Sequence, residues 1–135
     1  MMKKNKNVVS RFLQNFQNPR GFFGKIILWG MNKGHSSLSL WGMSHIEWKQ
    51  NWNVLDIGCG GGANLVQMLQ YCPQGEVYGI DISQVSVDFA RKRNKDLLSI
   101  RCFIEQGTVN ELPYTSNKFD VITAFETVYF WDDLH

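Results

Sequence analysis

The segment Val54-Leu55-Asp56-Ile57-Gly58-Cys59-Gly60-Gly61-Gly62-Ala63-Asn64-Leu65 constrains this chain more than any other. A short apolar strand runs into a carboxylate, then a glycine-rich turn, then a helix start. Glycine lets the backbone turn sharply and lets a ligand come close to main-chain atoms. A helix beginning behind such a turn offers free N–H groups and the positive end of its dipole. A second carboxylate, Asp81, ends the apolar run Val77-Tyr78-Gly79-Ile80. It falls roughly 20 residues past the turn, as expected of a ribose-binding carboxylate at the tip of the next parallel strand. This order of elements builds a nucleotide-cofactor site.

The glycines alone leave several ligands open. No Gly-Lys-Ser/Thr is present, which argues against a phosphate-binding P-loop. The dinucleotide spacing Gly-x-Gly-x-x-Gly is not met, because Gly58, Gly60 and Gly62 alternate and Ala63 takes its third position. Asp56 discriminates further. A carboxylate two residues before the turn repels a pyrophosphate and suits a ligand with an ammonium group. S-adenosylmethionine carries an ammonium, a carboxylate and a sulfonium, and no phosphate.

Val-Leu-Asp-Ile-Gly-Cys-Gly-x-Gly resembles the first motif of class I S-adenosylmethionine-dependent methyltransferases, and Asp81-Ile82-Ser83 resembles the second. The resemblance continues through Gly107 to Tyr114 and through Phe119 to Trp131, and covers about residues 20 to 135. The subfamily it most resembles is the small-molecule methyltransferases of bacterial type. The cofactor implied is S-adenosylmethionine. Asp56 would bind its methionine ammonium, directly or through water; the alternative is a carboxylate capping the glycine loop. Gly58 and Gly60 would contact the cofactor, or else serve only as turn glycines. Asp81 would accept from both ribose hydroxyls, or else cap the next helix. Ile82 would flank the adenine, or else belong to the core.

The segment Gln106 to Tyr114 resembles the family's adenine-binding loop, but Thr108 stands where that loop usually carries Asp. A hydroxyl can accept from the adenine amino group without charge assistance, a loss of order 1 kcal/mol. Val109 would pack on adenine. Phe125 and Glu126 fall where the family places groups beside the methionine moiety, and Tyr129 and Trp131 either wall a pocket near the sulfonium or pack a helix. No catalytic residue is assigned, although Glu126 and His35 are candidates, and no metal is implied. The resemblance implies direct in-line displacement, with a small-molecule methyl acceptor. Two other classes stay open: a cofactor-binding fragment or subunit without catalysis, and an NAD-binding half, which Asp56 disfavours.

The expected fold class is α/β, a Rossmann-like parallel sheet with flanking helices and a helical N-terminal lead-in. The 135 residues suit one domain burying about two-thirds of its unfolded surface. Residues 1–50 read as a helical lead-in or lid, and residues 51–135 as the cofactor-binding half. Amphipathic spacing predicts a helix from Val8 to Phe16, a second from Phe22 to Asn32, and a short third capped by Ser36. Strands are then predicted at Trp52–Ile57, Glu76–Ile80, Ile100–Ile104 and Phe119–Phe125, the last apolar enough for burial on both faces. Helices are predicted at Asn64–Tyr71, with Leu65, Val66 and Leu69 inward, and from Gln84 to about Asp96, capped by Ser83, with Val85, Phe89 and Ala90 inward. The family sheet has seven strands, so the sheet is expected to stop after the fourth, leaving an edge open to self-association.

Net charge is only +2, and the basic run Arg91-Lys92-Arg93-Asn94-Lys95 sits late on a helix, where cations complement the dipole. Nucleic acid is therefore not an expected partner. Cys59, Cys72 and Cys102 lack metal-type spacing, and free thiols in a reducing cytoplasm are the simplest reading. No cleavable signal sequence and no membrane span is evident.

Overall fold

The computed structural model describes residues 37–125. Strands β1 (Val54–Ile57), β2 (Val77–Asp81), β3 (Cys102–Gln106) and β4 (Val121–Thr123) pair in parallel in the order β3-β2-β1-β4. Helix α1 covers residues 37–43, α2 Ala63–Tyr71 and α3 Gln84–Arg93, and a 3-10 turn spans Val109–Glu111. The chain lays down β1, β2 and β3 in one direction, then returns to the other flank of β1 for β4. That reversal makes a topological switch point between β1 and β4. Open α/β sheets take their ligands in the crevice at the carboxyl ends of such strands.

Side-chain alternation sorts the strands onto two faces. Val54, Val77, Cys102 and Ile104 join Met43, Leu65, Met68, Leu69, Val87 and Ala90 on the helical side. Leu55, Ile57, Tyr78 and Ile80 form the opposite cluster, packed by Val109, Leu112, Tyr114 and Phe119 from the segment after β3. Both faces of β1 and β2 are covered, which is why these strands read as nearly unbroken apolar runs. Helix α1 joins the same body: Met43 is buried, and the Ser39 hydroxyl accepts from Asn64 Nδ2 at 3.1 Å.

Three helix ends are satisfied by particular side chains. Ser83 caps α3, its Oγ accepting from the Ser86 N–H at 3.3 Å. Arg101 closes α2, with Nη2 donating to Leu69 O at 2.9 Å and Nη1 to Cys72 O at 2.9 Å and Gly75 O at 3.3 Å. Asn94, buried at the end of α3, donates to Ala90 O at 2.9 Å and back to Gly62 O at 3.2 Å. The three cysteines are buried and free. Among the described residues no helix is long and apolar enough to cross a membrane.

Several local expectations are corrected. Ile100, expected to open the third strand, is 70% exposed in the turn before β3. Strand β4 is shorter than expected and its Ile122 is 57% exposed, so burial on both faces fails there. β4 is the outermost described strand on that side, and Ile122 lies outside the Leu55 cluster. On α3 the inward stripe is Ser86, Val87 and Ala90; Val85 is half-buried and Phe89 exposed. The reason is close packing: a Cβ on Gly62 would stand 2.8 Å from Ala90 Cα, so only a small residue fits that contact. On α2, Met68 takes the buried place expected of Val66. The first two predicted helices and Ser36 lie outside the described residues.

Arg101→Met keeps the aliphatic stem and removes the donors, leaving carbonyls at the end of α2 unsatisfied. Urea denaturation should show a loss of about 2 kcal/mol, the range for hydrogen bonds from a charged group; an unchanged midpoint would mean water replaces the guanidinium.

Candidate cofactor site

Strands β1, β2 and β4 deliver Asp56, Asp81 and Thr123 to the carboxyl edge of the sheet. Asp56 is 1% exposed. Its Oδ1 accepts from Thr123 Oγ1 at 2.7 Å, while its Oδ2, equally closed to water, has no partner among the described residues. Burial pushes this carboxyl up to about 7, the Thr123 hydrogen bond opposes the rise, and the nearby Asp81 charge adds to it. A buried polar atom without a partner is costly and uncommon. Tyr114 Oη is the other such atom among the described residues.

Asp81 is differently set. Its Oδ2 accepts from the Gly60 N–H and its Oδ1 from the Ser83 N–H, both at 2.9 Å. Burial raises this carboxyl too, and the two backbone N–H groups work against the rise. Ser83, not Asp81, caps α3, so the capping alternative for Asp81 does not hold in that form. Each Asp81 oxygen keeps further lone-pair capacity.

The glycine loop carries Gly58, Gly60 and Gly62 with φ of 73°, 54° and 83°, a left-handed backbone that disfavours side chains. Its amides are mostly occupied. Gly58 and Cys59 donate to Ile80 O at 2.8 and 3.0 Å, Gly60 to Asp81, and Gly62 to Cys59 O at 3.1 Å. Cys59 is buried beneath the loop, where burial and then the Asp81 and Asp56 charges hold its thiol well above its ordinary range.

The remaining candidates surround these groups in the chain. Ile82, next to Asp81, is 51% exposed and so is not core; its carbonyl accepts from Gln106 Nε2 at 3.0 Å. Thr108 is half-buried and its Oγ1 accepts from the Asn110 N–H at 3.3 Å, capping the 3-10 turn. Val109 packs against the Leu55 cluster. Phe125, just past β4, packs against the helical-side core, where its Cε1 lies 2.7 Å from where a Cβ on Gly42 would stand. Asp56, Gly58, Gly60, Asp81 and Ile82 thus gather at the ends of β1 and β2, Thr108 and Val109 follow β3, and Phe125 follows β4. His35, Glu126, Tyr129 and Trp131 lie outside the described residues. In the basic run, Arg91 donates from Nε and Nη2 to Ile104 O at 3.0 and 2.7 Å, a structural role.

Thr123 and Gln106 escape the sequence reading. The one signal for Thr123 is a hydroxyl inside the apolar run Val121-Ile122-Thr123-Ala124. Its meaning depends on the register that sets it opposite Asp56.

Comparison with known proteins places this arrangement. The family model of the methyltransferase domain matches residues 48–134. An uncharacterized methyltransferase of Schizosaccharomyces pombe is 31% identical over 91 residues, 63% of this chain and 33% of that protein. A demethylmenaquinone methyltransferase of Symbiobacterium thermophilum is 34% identical over 77 residues, 53% of this chain and 29% of that protein. The chain therefore spans about a third of the length of these curated relatives. The geranyl diphosphate C-methyltransferase of Streptomyces coelicolor A3(2), crystallised with Mg2+, geranyl diphosphate and S-adenosyl-L-homocysteine, superposes with a TM-score of 0.66 at 16% identity. That match covers 87% of this chain and 45% of the other, and at such identity it is a likeness of fold. With the family model matched over most of its length, this chain belongs to the class I S-adenosylmethionine-dependent methyltransferase family.

Proposed function

We propose that this chain forms the cofactor-binding half of a methyltransferase that uses S-adenosylmethionine to methylate a small-molecule acceptor by direct in-line displacement. The observation that carries the reading is the buried, unpartnered Oδ2 of Asp56, which fits an ammonium donor. When bound, S-adenosylmethionine supplies an already activated sulfonium methyl, so the protein's work is positioning and exclusion of water.

Each residue has a task in this reading. Asp56 holds the ammonium, and its deep burial favours a relay through one water. Asp81 accepts from the ribose hydroxyls with the lone pairs its backbone donors leave free. Ile82 lays its exposed side chain along adenine, with Thr108 and Val109 at the base. Gly58 and Gly60 allow close approach, and Phe125 flanks the methionine end. Residues 1–50 act as lead-in and lid in this reading, of which residues 37–43 dock on the core as α1. The buried free cysteines suit a reducing cytoplasm, and the exposed Ile122 suits pairing of two chains through β4. A dinucleotide fits less well. The loop N–H groups a pyrophosphate would need are occupied by Ile80 O, Asp81 and Cys59 O, and two carboxylates stand beside them. A cofactor-binding piece without turnover is the second reading, favoured by Thr108, whose hydroxyl already serves the 3-10 turn. A methyl-transfer assay separates the two.

Calorimetry should find S-adenosylhomocysteine bound more tightly than NAD, and the reverse order would defeat the proposal.

Affinity should also follow pH with a definite sign. Below about 7 the free protein keeps a proton on Asp56, while an ammonium pairs with the ionised form. Binding must then expel that proton, so S-adenosylhomocysteine affinity should weaken up to about tenfold per pH unit below the midpoint and level off above it. Asp56→Asn should flatten the profile.

Asp81→Ala should weaken cofactor binding by roughly 2–4 kcal/mol through two lost charge-assisted hydrogen bonds. Asp81→Asn should be little milder, since its amide nitrogen must face the N–H of Gly60 or of Ser83. Parent-like affinity in the folded alanine variant would remove Asp81 from the site.

A further inference from the structure

Thr123 touches the proposed site without a role in it. We propose that Thr123 is a positioning residue whose hydroxyl, donating to Asp56 Oδ1, pins the carboxylate so that Oδ2 alone is left for the cofactor. This rests on the cofactor reading above and extends it to a second residue, on a different strand.

The geometry is specific. Thr123 stands opposite Asp56 in the β1–β4 register, at the switch point of the sheet. Its hydroxyl is buried and has two acceptors in range, Asp56 Oδ1 at 2.7 Å and Leu55 O at 3.5 Å. The first distance is that of a hydrogen bond from a hydroxyl to a carboxylate, and the second is at the outer limit. Among the described residues Thr123 is the one donor to the Asp56 carboxylate. Two titratable groups also bear on this carboxylate. Asp81, at the end of β2, repels it, and the neutral Cys59 thiol in the glycine loop is directed to Gly60 O at 3.9 Å. No described lysine, arginine or histidine forms an ion pair with it. A β-branched side chain has few χ1 choices, so the hydroxyl is held where Oδ1 needs it. Without it, both carboxylate oxygens would be buried and unpartnered, and the group could rotate to seek other donors.

Thr123→Val keeps shape and strand preference and removes the hydroxyl; Thr123→Ser keeps the hydroxyl. Two measurements on the full chain test the idea. The first is the pH dependence of thermal unfolding without ligand. The folded-state midpoint of Asp56 lies above its ordinary 3.8, so stability declines as pH rises between the two values. In Thr123→Val that decline should continue about one pH unit higher than in the parent, because the hydroxyl that favours ionisation is gone. The second is S-adenosylhomocysteine affinity at pH 7.5, which should fall about tenfold in Thr123→Val and stay within about threefold of the parent in Thr123→Ser. A valine variant with the parent's pH midpoint and affinity would overturn the proposal, as would a serine variant as impaired as valine, which would show a packing role only. If the parent binds no S-adenosylhomocysteine at any pH, the cofactor reading and the pinning built on it both fall, while an upward midpoint shift in valine would still establish the Thr123–Asp56 coupling alone. If Thr123→Val does not fold, Thr123→Ala supplies the same two readouts.

Discussion

Asp56 carries a carboxylate into the sheet with water shut out, one oxygen held by Thr123 and the other by no group among the described residues. Much of the surrounding structure serves to make that position tolerable. The parallel order β3-β2-β1-β4 puts a strand on each side of β1, so Asp56 has a ladder partner on both flanks, Gly79 and Thr123. Burial favours the neutral acid. Below about pH 7 the free protein therefore avoids an unpaired interior charge, and a cation entering the crevice favours the ionised form.

The glycine loop closes over this group by means that only glycine permits. A Cβ on Gly79 would stand 2.8 Å from Leu65 Cδ1 and 3.0 Å from Cys59 Sγ, so β2 is bare where the loop and α2 press on it. Gly62 is equally crowded by Ala90 and Asn94 from α3. Asp81 then fastens the loop to the next turn through Gly60 and Ser83. The residue that reads as a ribose ligand is also the clamp that shapes the loop, which is why removing its charge should disturb more than one contact.

How legible all this is from sequence depends on distance along the chain. The turn, the Ser83 cap and the order of strands and helices depend on neighbours a few residues apart, and they stand as the local pattern predicts. On α3, Ala90 faces inward as its place in the pattern predicts and meets Gly62 across the fold, whereas apolarity points to Val85 and Phe89 where Ser86 and Val87 are buried. Ile100 and Ile122 are apolar yet exposed, since β propensity says nothing about which strand lies outermost or where a turn begins. Thr123 was unreadable for the same reason: it lies 67 residues from Asp56, and only strand register brings the two together.

The charge pattern of the site argues for the kind of ligand it takes. Asp81, and Asp56 wherever it is ionised, give one end of the crevice a negative potential, and no described cation pairs with either. The helix dipole behind the loop acts in the opposite sense, but the amides that would focus it on an anion are turned to Ile80 O, Asp81 and Cys59 O. An anionic ligand would therefore meet two carboxylates and few free donors. A ligand with an ammonium at one end and hydroxyl donors further along meets an acceptor for each. The same glycine-rich frame that elsewhere cradles phosphate is here closed on itself, and in the proposed reading the two acids at the tips of β1 and β2 supply its selectivity.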